Sequence, residues 1–162
     1  MGLLLTVMLF AHLLAAVIFV GGSFFMWLVV VPVTRLTSED EVTRGRIVAA
    51  VARRFGVVTN ISLIVLAVTG AYNATWYLPG LDVLSAGIRG GLLALKVALS
   101  LALFSAVYVH GVHYGRKISR LTQERRFDEL KEVRRRSMYV SFVNLVLMVA
   151  VLLVAVMMQF PP

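Results

Sequence analysis

The sequence predicts an all-α integral membrane protein, an antiparallel four-helix bundle with both termini outside. Three observations predict it. The composition is 60% apolar and 15% charged, with a mean hydropathy of +0.90, whereas soluble domains carry about 25% charged residues. The apolar residues gather in four blocks, each near the roughly 20 residues a helix needs to cross a bilayer. The basic residues gather between the first and second blocks and between the third and fourth. At 162 residues the chain reads as a single four-span domain covering 1–162.

The first span is expected over about 3–33. No basic residue precedes it and it is too long for a signal-peptide core, so it reads as a membrane helix. After it, Ser38-Glu39-Asp40-Glu41 has the form of a capping box. A helix from Glu39 to Arg54 is expected to lead into the second span, about 55–76. The run Trp76-Tyr77-Leu78-Pro79-Gly80 pairs an interfacial aromatic belt with a turn. The third span is expected over about 90–114. Beyond it Leu121, Phe127, Leu130 and Val133 recur at near-helical spacing among charges. Spans three and four are therefore expected to extend past the bilayer as an amphipathic hairpin. The fourth span covers about 138–160.

The first connection holds Arg35, Arg44, Arg46, Arg53 and Arg54. The third holds Arg116, Lys117, Arg120, Arg125, Arg126, Lys131, Arg134, Arg135 and Arg136. The second holds only Arg89. The positive-inside rule puts the two basic connections in the cytoplasm, in a cell inner membrane or plasma membrane. Topology thus accounts for nearly all of the +8 formal charge. Membrane lipids are the expected polyanionic partner, and nucleic acid is not expected. The absence of cysteine excludes disulfides, thiolate chemistry and Cys-ligated clusters. No H-E-x-x-H, P-loop, dinucleotide fingerprint or G-x-S-x-G elbow occurs.

Polar residues at membrane depth are costly and therefore informative. His12 lies roughly 10 Å to the outer side of the middle of its span, and Lys96 about 9 Å, at about 1.5 Å of rise per residue. The two are expected to share one layer, with Thr69 in the same half. An inner layer holds His110 and His113, one turn apart and expected to share a face. Asn60 and Asn144 lie in the inner parts of spans two and four, where an amide needs a hydrogen-bond partner and a histidine can supply one. Gly21, Gly22, Gly70 and Ala71 are expected to permit close helix contacts.

Two chemistries fit these residues. A haem b is held by axial ligands from facing helices. His12 is the first candidate, with His110 or His113 at a second depth and Lys96 or Arg89 for a carboxylate. Copper is the alternative, since imidazole and thioether suit Cu(I). Met8 and His12 are four apart on one face, and Met157 and Met158 lie at a similar depth on the last span.

The run His12-Leu13-Leu14-Ala15-Ala16-Val17-Ile18-Phe19-Val20-Gly21-Gly22, with Phe25 and Pro32 after it, resembles the first helix of the CopD copper-resistance family. Arg54-Phe55, Thr69-Gly70, Gly91 and Lys96 follow in that family's order, so the resemblance covers most of residues 12–110. It implies copper uptake or tolerance. The chain is also similar to the HemJ-like membrane proteins, small haem-binding bundles linked to protoporphyrinogen oxidation. Their first-helix His, third-helix Lys and last-helix Asn match His12, Lys96 and Asn144. Their Leu-Pro-Arg run has the looser counterpart Pro32-Val33-Thr34-Arg35, and their Asn-Glu pair is Asn144-Leu145 here. Three readings stand at this point. They are a haem b protein with a redox or electron-transfer role, served by a redox partner or quinone; a copper-handling protein; and a non-catalytic partner subunit. The apolar outer faces are compatible with a homodimer.

Overall fold

A computed structural model describes residues 2–37, 41–77, 87–124 and 126–159. These residues are helical almost throughout, and no strand occurs among them. Four helical stretches are long and apolar enough to cross a membrane: Leu3–Thr34, Gly45–Tyr77, Gly87–Ile118 and Asp128–Gln159. All but the first are longer than their apolar blocks, because charged residues continue each helix beyond its apolar part. The protein is a multi-pass membrane protein built from these helices. It divides into two compact units, Met1–Leu81 and Asp82–Pro162.

The first unit contains α1 (Leu3–Phe25), a π-turn at Met26–Val30, α2 (Val31–Thr37) and α3 (Glu41–Tyr77). Pro32 lacks a backbone N–H and crowds the preceding turn of a helix. The chain widens into the π-turn immediately before it, and the Val31 N–H donates to the Met26 carbonyl, five residues back. Pro32 then sits in the first turn of α2, where it is tolerated. The expected helix ahead of the second span is present as the start of α3. The capping residues Ser38, Glu39 and Asp40 lie outside the described residues, as do Leu78, Pro79 and Gly80. Trp76 is exposed.

Helices α1 and α3 pack antiparallel, with His12 against Thr69 and Gly22 against Phe55. The contact is lined by small residues: Ala15, Thr59, Ser62 and Thr69 are all buried. Without apolar attraction between helices in lipid, close backbone approach and packing hold such pairs together. A Cβ on Gly22 would overlap the Phe55 ring, and one on Gly70 would lie 3.2 Å from His12 Cε1. The other two small residues expected at the contact are elsewhere. Gly21 has open space around it and Ala71 is exposed, because each is one residue, about 100° of helix rotation, away from the contact stripe. Replacing Gly22 with Ala is expected to destabilise this hairpin by about 1–3 kcal/mol. Truncating the ring in a Gly22→Ala/Phe55→Leu double variant should recover part of the loss in a thermal-melting cycle.

The second unit contains α4 (Gly87–Val109), a second π-turn at His110–Tyr114, α5 (Gly115–Gln123) and α6 (Phe127–Gln159). Gly87 starts α4 at φ +57°, a left-handed conformation that a residue without Cβ adopts freely. The expected amphipathic hairpin is present. Leu121, Leu130 and Val133 are buried together, with Tyr114 and Ile118 packed against them. The side chain of Phe127 lies outside what the structure describes. The bend between α5 and α6 is tied by the Arg126 N–H donating to the Leu121 carbonyl at 3.1 Å. The Arg126 guanidinium pairs with Glu129 and Glu124. The hydrogen bond to Glu129 holds that guanidinium's pKa above its ordinary value.

Candidate functional site

The first polar site lies between α1 and α3. Thr69 follows Thr59 and Ser62 along the stripe of α3 that faces α1, and all three are buried. Its hydroxyl donates to the Val65 carbonyl at 2.5 Å, and His12 Nδ1 lies 2.9 Å from the same oxygen. A threonine hydroxyl has one proton. That proton is committed to Val65, so the Thr69 oxygen accepts from His12 and Nδ1 carries the imidazole proton. Nε2 is then the nitrogen with the lone pair. A hydrogen bond on one ring nitrogen that sets the tautomer and orients the other is the usual support for a metal-binding imidazole. Gly70 lets the ring lie against α3 without a Cβ in its way.

Met8 is one turn from His12 on α1 and is partly buried. Asn73 is one turn beyond Thr69 on α3, and both its side-chain oxygen and nitrogen are buried without a hydrogen-bond partner. The antiparallel register that sets residue 12 against residue 69 brings residue 73 to the level of residue 8. Asn73 escapes sequence reasoning because it lies past the apolar centre of its span, where an asparagine reads as the approach to a turn. Its signal is the i, i+4 spacing from Thr69.

A second polar site lies in the other unit. His110 Nε2 is 2.9 Å from Ser137 Oγ and 3.3 Å from Ser141 Oγ, both on α6. Asn144 continues the same α6 stripe and is 6% exposed, with its Oδ1 buried and unpartnered. The expected pairing of asparagine with histidine is therefore not formed: two serines occupy His110. The serines could have been found from their spacing of four, with Asn144 three residues further on. His110 and His113 do not share a face either. A π-turn has more residues per turn than an α-helix, so three residues no longer bring the chain back to one side. His110 is half-buried against α6 while His113 is exposed, and the Tyr114 ring touches both. Replacing Asn144 with Leu is expected to raise the melting temperature in detergent, corresponding to about 1 kcal/mol, because it removes an unsatisfied buried carbonyl.

Asn60 is exposed. Thr59 and Ser62 face α1, which turns the residue beside Thr59 outward. Lys96 is half-buried on α4, without a hydrogen-bond or ion-pair partner among the described residues. Arg89 is exposed in the first turn of α4, and Met157 and Met158 stand near the end of α6. His12 and Met8 thus belong to one unit, and Lys96, His110, His113, Asn144, Met157 and Met158 to the other. No group of three or more His, Cys, Asp or Glu side chains suited to a metal occurs among the described residues.

A family model described as copper resistance protein D matches residues 49–158. The chain belongs to the CopD family. The match covers α3 from its third turn onward and all of α4, α5 and the membrane part of α6, so it includes Thr69, Gly70 and Asn73. Helix α1, with Met8 and His12, precedes the matched stretch. No curated protein and no solved structure matches the chain. Membership of the CopD family carries the copper alternative read from the sequence. It does not extend to haem b, to porphyrinogen oxidation or to the HemJ-like resemblance. The His12 tautomer suits a copper ion and a haem iron equally, and the family match favours copper.

Proposed function

We propose that this CopD protein handles copper as cargo at the membrane, binding Cu(I) in the first hairpin through His12 Nε2 and the Met8 thioether. The observation that carries the reading is the Val65–Thr69–His12 hydrogen-bond chain in a protein whose family is defined by copper resistance. An imidazole nitrogen and a thioether one turn apart form a soft donor pair, which suits Cu(I) better than a hard cation. Within an apolar span, a neutral donor set also avoids the cost of a buried carboxylate. The basic connections are read as cytoplasmic, which puts this pair nearer the outer surface, where it would receive copper from outside.

The test is a Cu(I) titration of the purified full chain in mild detergent against a competing chelator, with metal analysis and a visible spectrum on the same sample. About one Cu(I) per chain is expected, with binding lost in His12→Ala and weakened in Met8→Leu. A Soret band that shifts on reduction, with near-stoichiometric iron, would instead assign the protein to haem. Copper binding unchanged in His12→Ala would remove this site. Gly70→Ala offers a milder probe. The added methyl lies 3.2 Å from His12 Cε1, so the ring must shift by a few tenths of an ångström, and Cu(I) affinity should fall without loss of helix content.

A further inference from the structure

We propose that a groove along one side of α4, the His110–Tyr114 turn and α5 is a binding site for an anionic glycerophospholipid. The groove has a volume of about 580 Å³ and is lined only by residues from 108 to 120. Its two ends differ in chemistry. Tyr108, Val109 and Val112 form the apolar end, and Tyr108 and Val109 are 68% and 57% exposed. His113, Arg116, Lys117 and Arg120 form the other end, and no acidic side chain lines the groove. The apolar part of Gly87–Ile118 gives way to Arg116 and Lys117 before the stretch ends, so the change from apolar to basic in the groove follows the change along the helix itself.

Packing explains why the cations stand in the groove. Tyr114, Ile118 and Leu121 face the α5–α6 cluster, which turns residues 116 and 120 away from it and leaves Lys117 at its edge, where it borders both the groove and the neighbouring cavity. Arg116 and Lys117 have no ion-pair partner among the described residues. Arg120 meets Glu124 at 3.6 Å, but both are well exposed, and such pairs contribute little. A neighbouring cavity of about 180 Å³ shows the contrast. It contains Glu129 and Glu132 beside Lys117 and Arg136, and Arg136 bonds Glu132 at 2.6 Å. That cavity supplies its own anions, and the groove does not.

The spacing matches one lipid. Arg116 and Arg120 are one turn apart, close enough for a single phosphodiester to meet both. Val112 and Val109 lie roughly 6 and 10 Å along the helix from Arg116, at about 1.5 Å per residue. That distance carries a ligand from its phosphate past the glycerol to the start of its acyl chains. A soluble phosphate would use the basic end and leave Tyr108, Val109 and Val112 uncovered.

Native mass spectrometry of the full chain in a neutral detergent tests the site, with phosphatidylglycerol and phosphatidylcholine of identical acyl chains as probes. Phosphatidylglycerol adducts should form at roughly a hundredfold lower lipid concentration, from the summed surface attraction of the three cations. An Arg116→Gln/Lys117→Gln/Arg120→Gln variant should lose the preference. A variant with Arg46, Arg53 and Arg54 changed to Gln removes the same charge from exposed positions of the first unit and should keep it. Equal loss in both variants would reduce the effect to net charge and overturn the site. Displacement of the lipid by millimolar inorganic phosphate or glycerol phosphate would also overturn it, by showing a phosphate site without acyl recognition. Unchanged helicity by circular dichroism keeps a loss in the groove variant from being one of folding.

Discussion

Replacing Thr69 with Val is expected to lower the affinity of the proposed Cu(I) site about 10- to 100-fold, the usual cost of removing the partner that orients a metal-binding imidazole. Valine keeps the shape of threonine and loses the oxygen that accepts from His12 Nδ1. The ring then loses the hydrogen bond that sets its tautomer, so Nε2 is no longer held by it with the lone pair in position. Stability should change little, since the Thr69–Val65 bond lies within one helix. The measurement is the chelator competition described above, run beside a Thr69→Ser variant. Serine retains the hydroxyl and should keep most of the affinity. A Thr69→Val protein that binds copper as tightly as the parent would show that the Nδ1 hydrogen bond does not serve metal binding. Loss of binding in both Thr69→Val and Thr69→Ser would point to packing rather than tautomer control.

Leu121→Ala destabilises the α5–α6 hairpin by about 2–5 kcal/mol, the range for emptying a buried leucine site. Leu121 is 1% exposed, the most buried large side chain described, and it packs with Leu130 and Val133. Its burial is against protein side chains of the same unit. The neighbouring ion pairs cannot compensate: Arg120–Glu124 and Arg126–Glu124 are exposed. Hydrogen exchange at the Gly115–Gln123 amides is the direct readout, because a local opening need not unfold the membrane helices. Exchange should accelerate there and stay slow in α1 and the membrane part of α3. Unchanged protection in α5 would mean that the cluster does not hold the hairpin. Copper binding in the first hairpin should be unaffected, which separates this variant from Thr69→Val.

The family finding reorders the two chemistries read from the sequence. Both readings start from the same histidine, and the proposed ligand atom, His12 Nε2, would be the same for either metal. Composition and spacing contain no term that separates an iron held in a porphyrin from a copper ion held by imidazole and thioether. The matched stretch of residues 49–158 adds a copper-resistance family to that reading. It also brings Thr69, Gly70 and Asn73 into the family's own region, while the histidine they surround lies on the helix before it.

Much was decided by the sequence alone. The four apolar stretches, the long helices and the amphipathic hairpin of Leu121, Leu130 and Val133 follow from length, hydropathy and spacing. These are properties of a segment and its solvent, and hydrocarbon tolerates no other backbone for a spanning segment of this kind. The meeting of His12 with Thr69 was legible only as a shared depth. Which residues turn toward each other was decided by helix phase. One residue of rotation separates buried Thr59 from exposed Asn60, and the glycine at the contact, Gly22, from its outward neighbour Gly21. The π-turn at His110–Tyr114 shifts that phase, which separates His110 from His113 and gives His110 to Ser137 and Ser141. A hydroxyl's single proton then sets which imidazole nitrogen of His12 keeps its lone pair. Rotation, register and proton position depend on which atoms meet across two helices, and only the tertiary structure decided them.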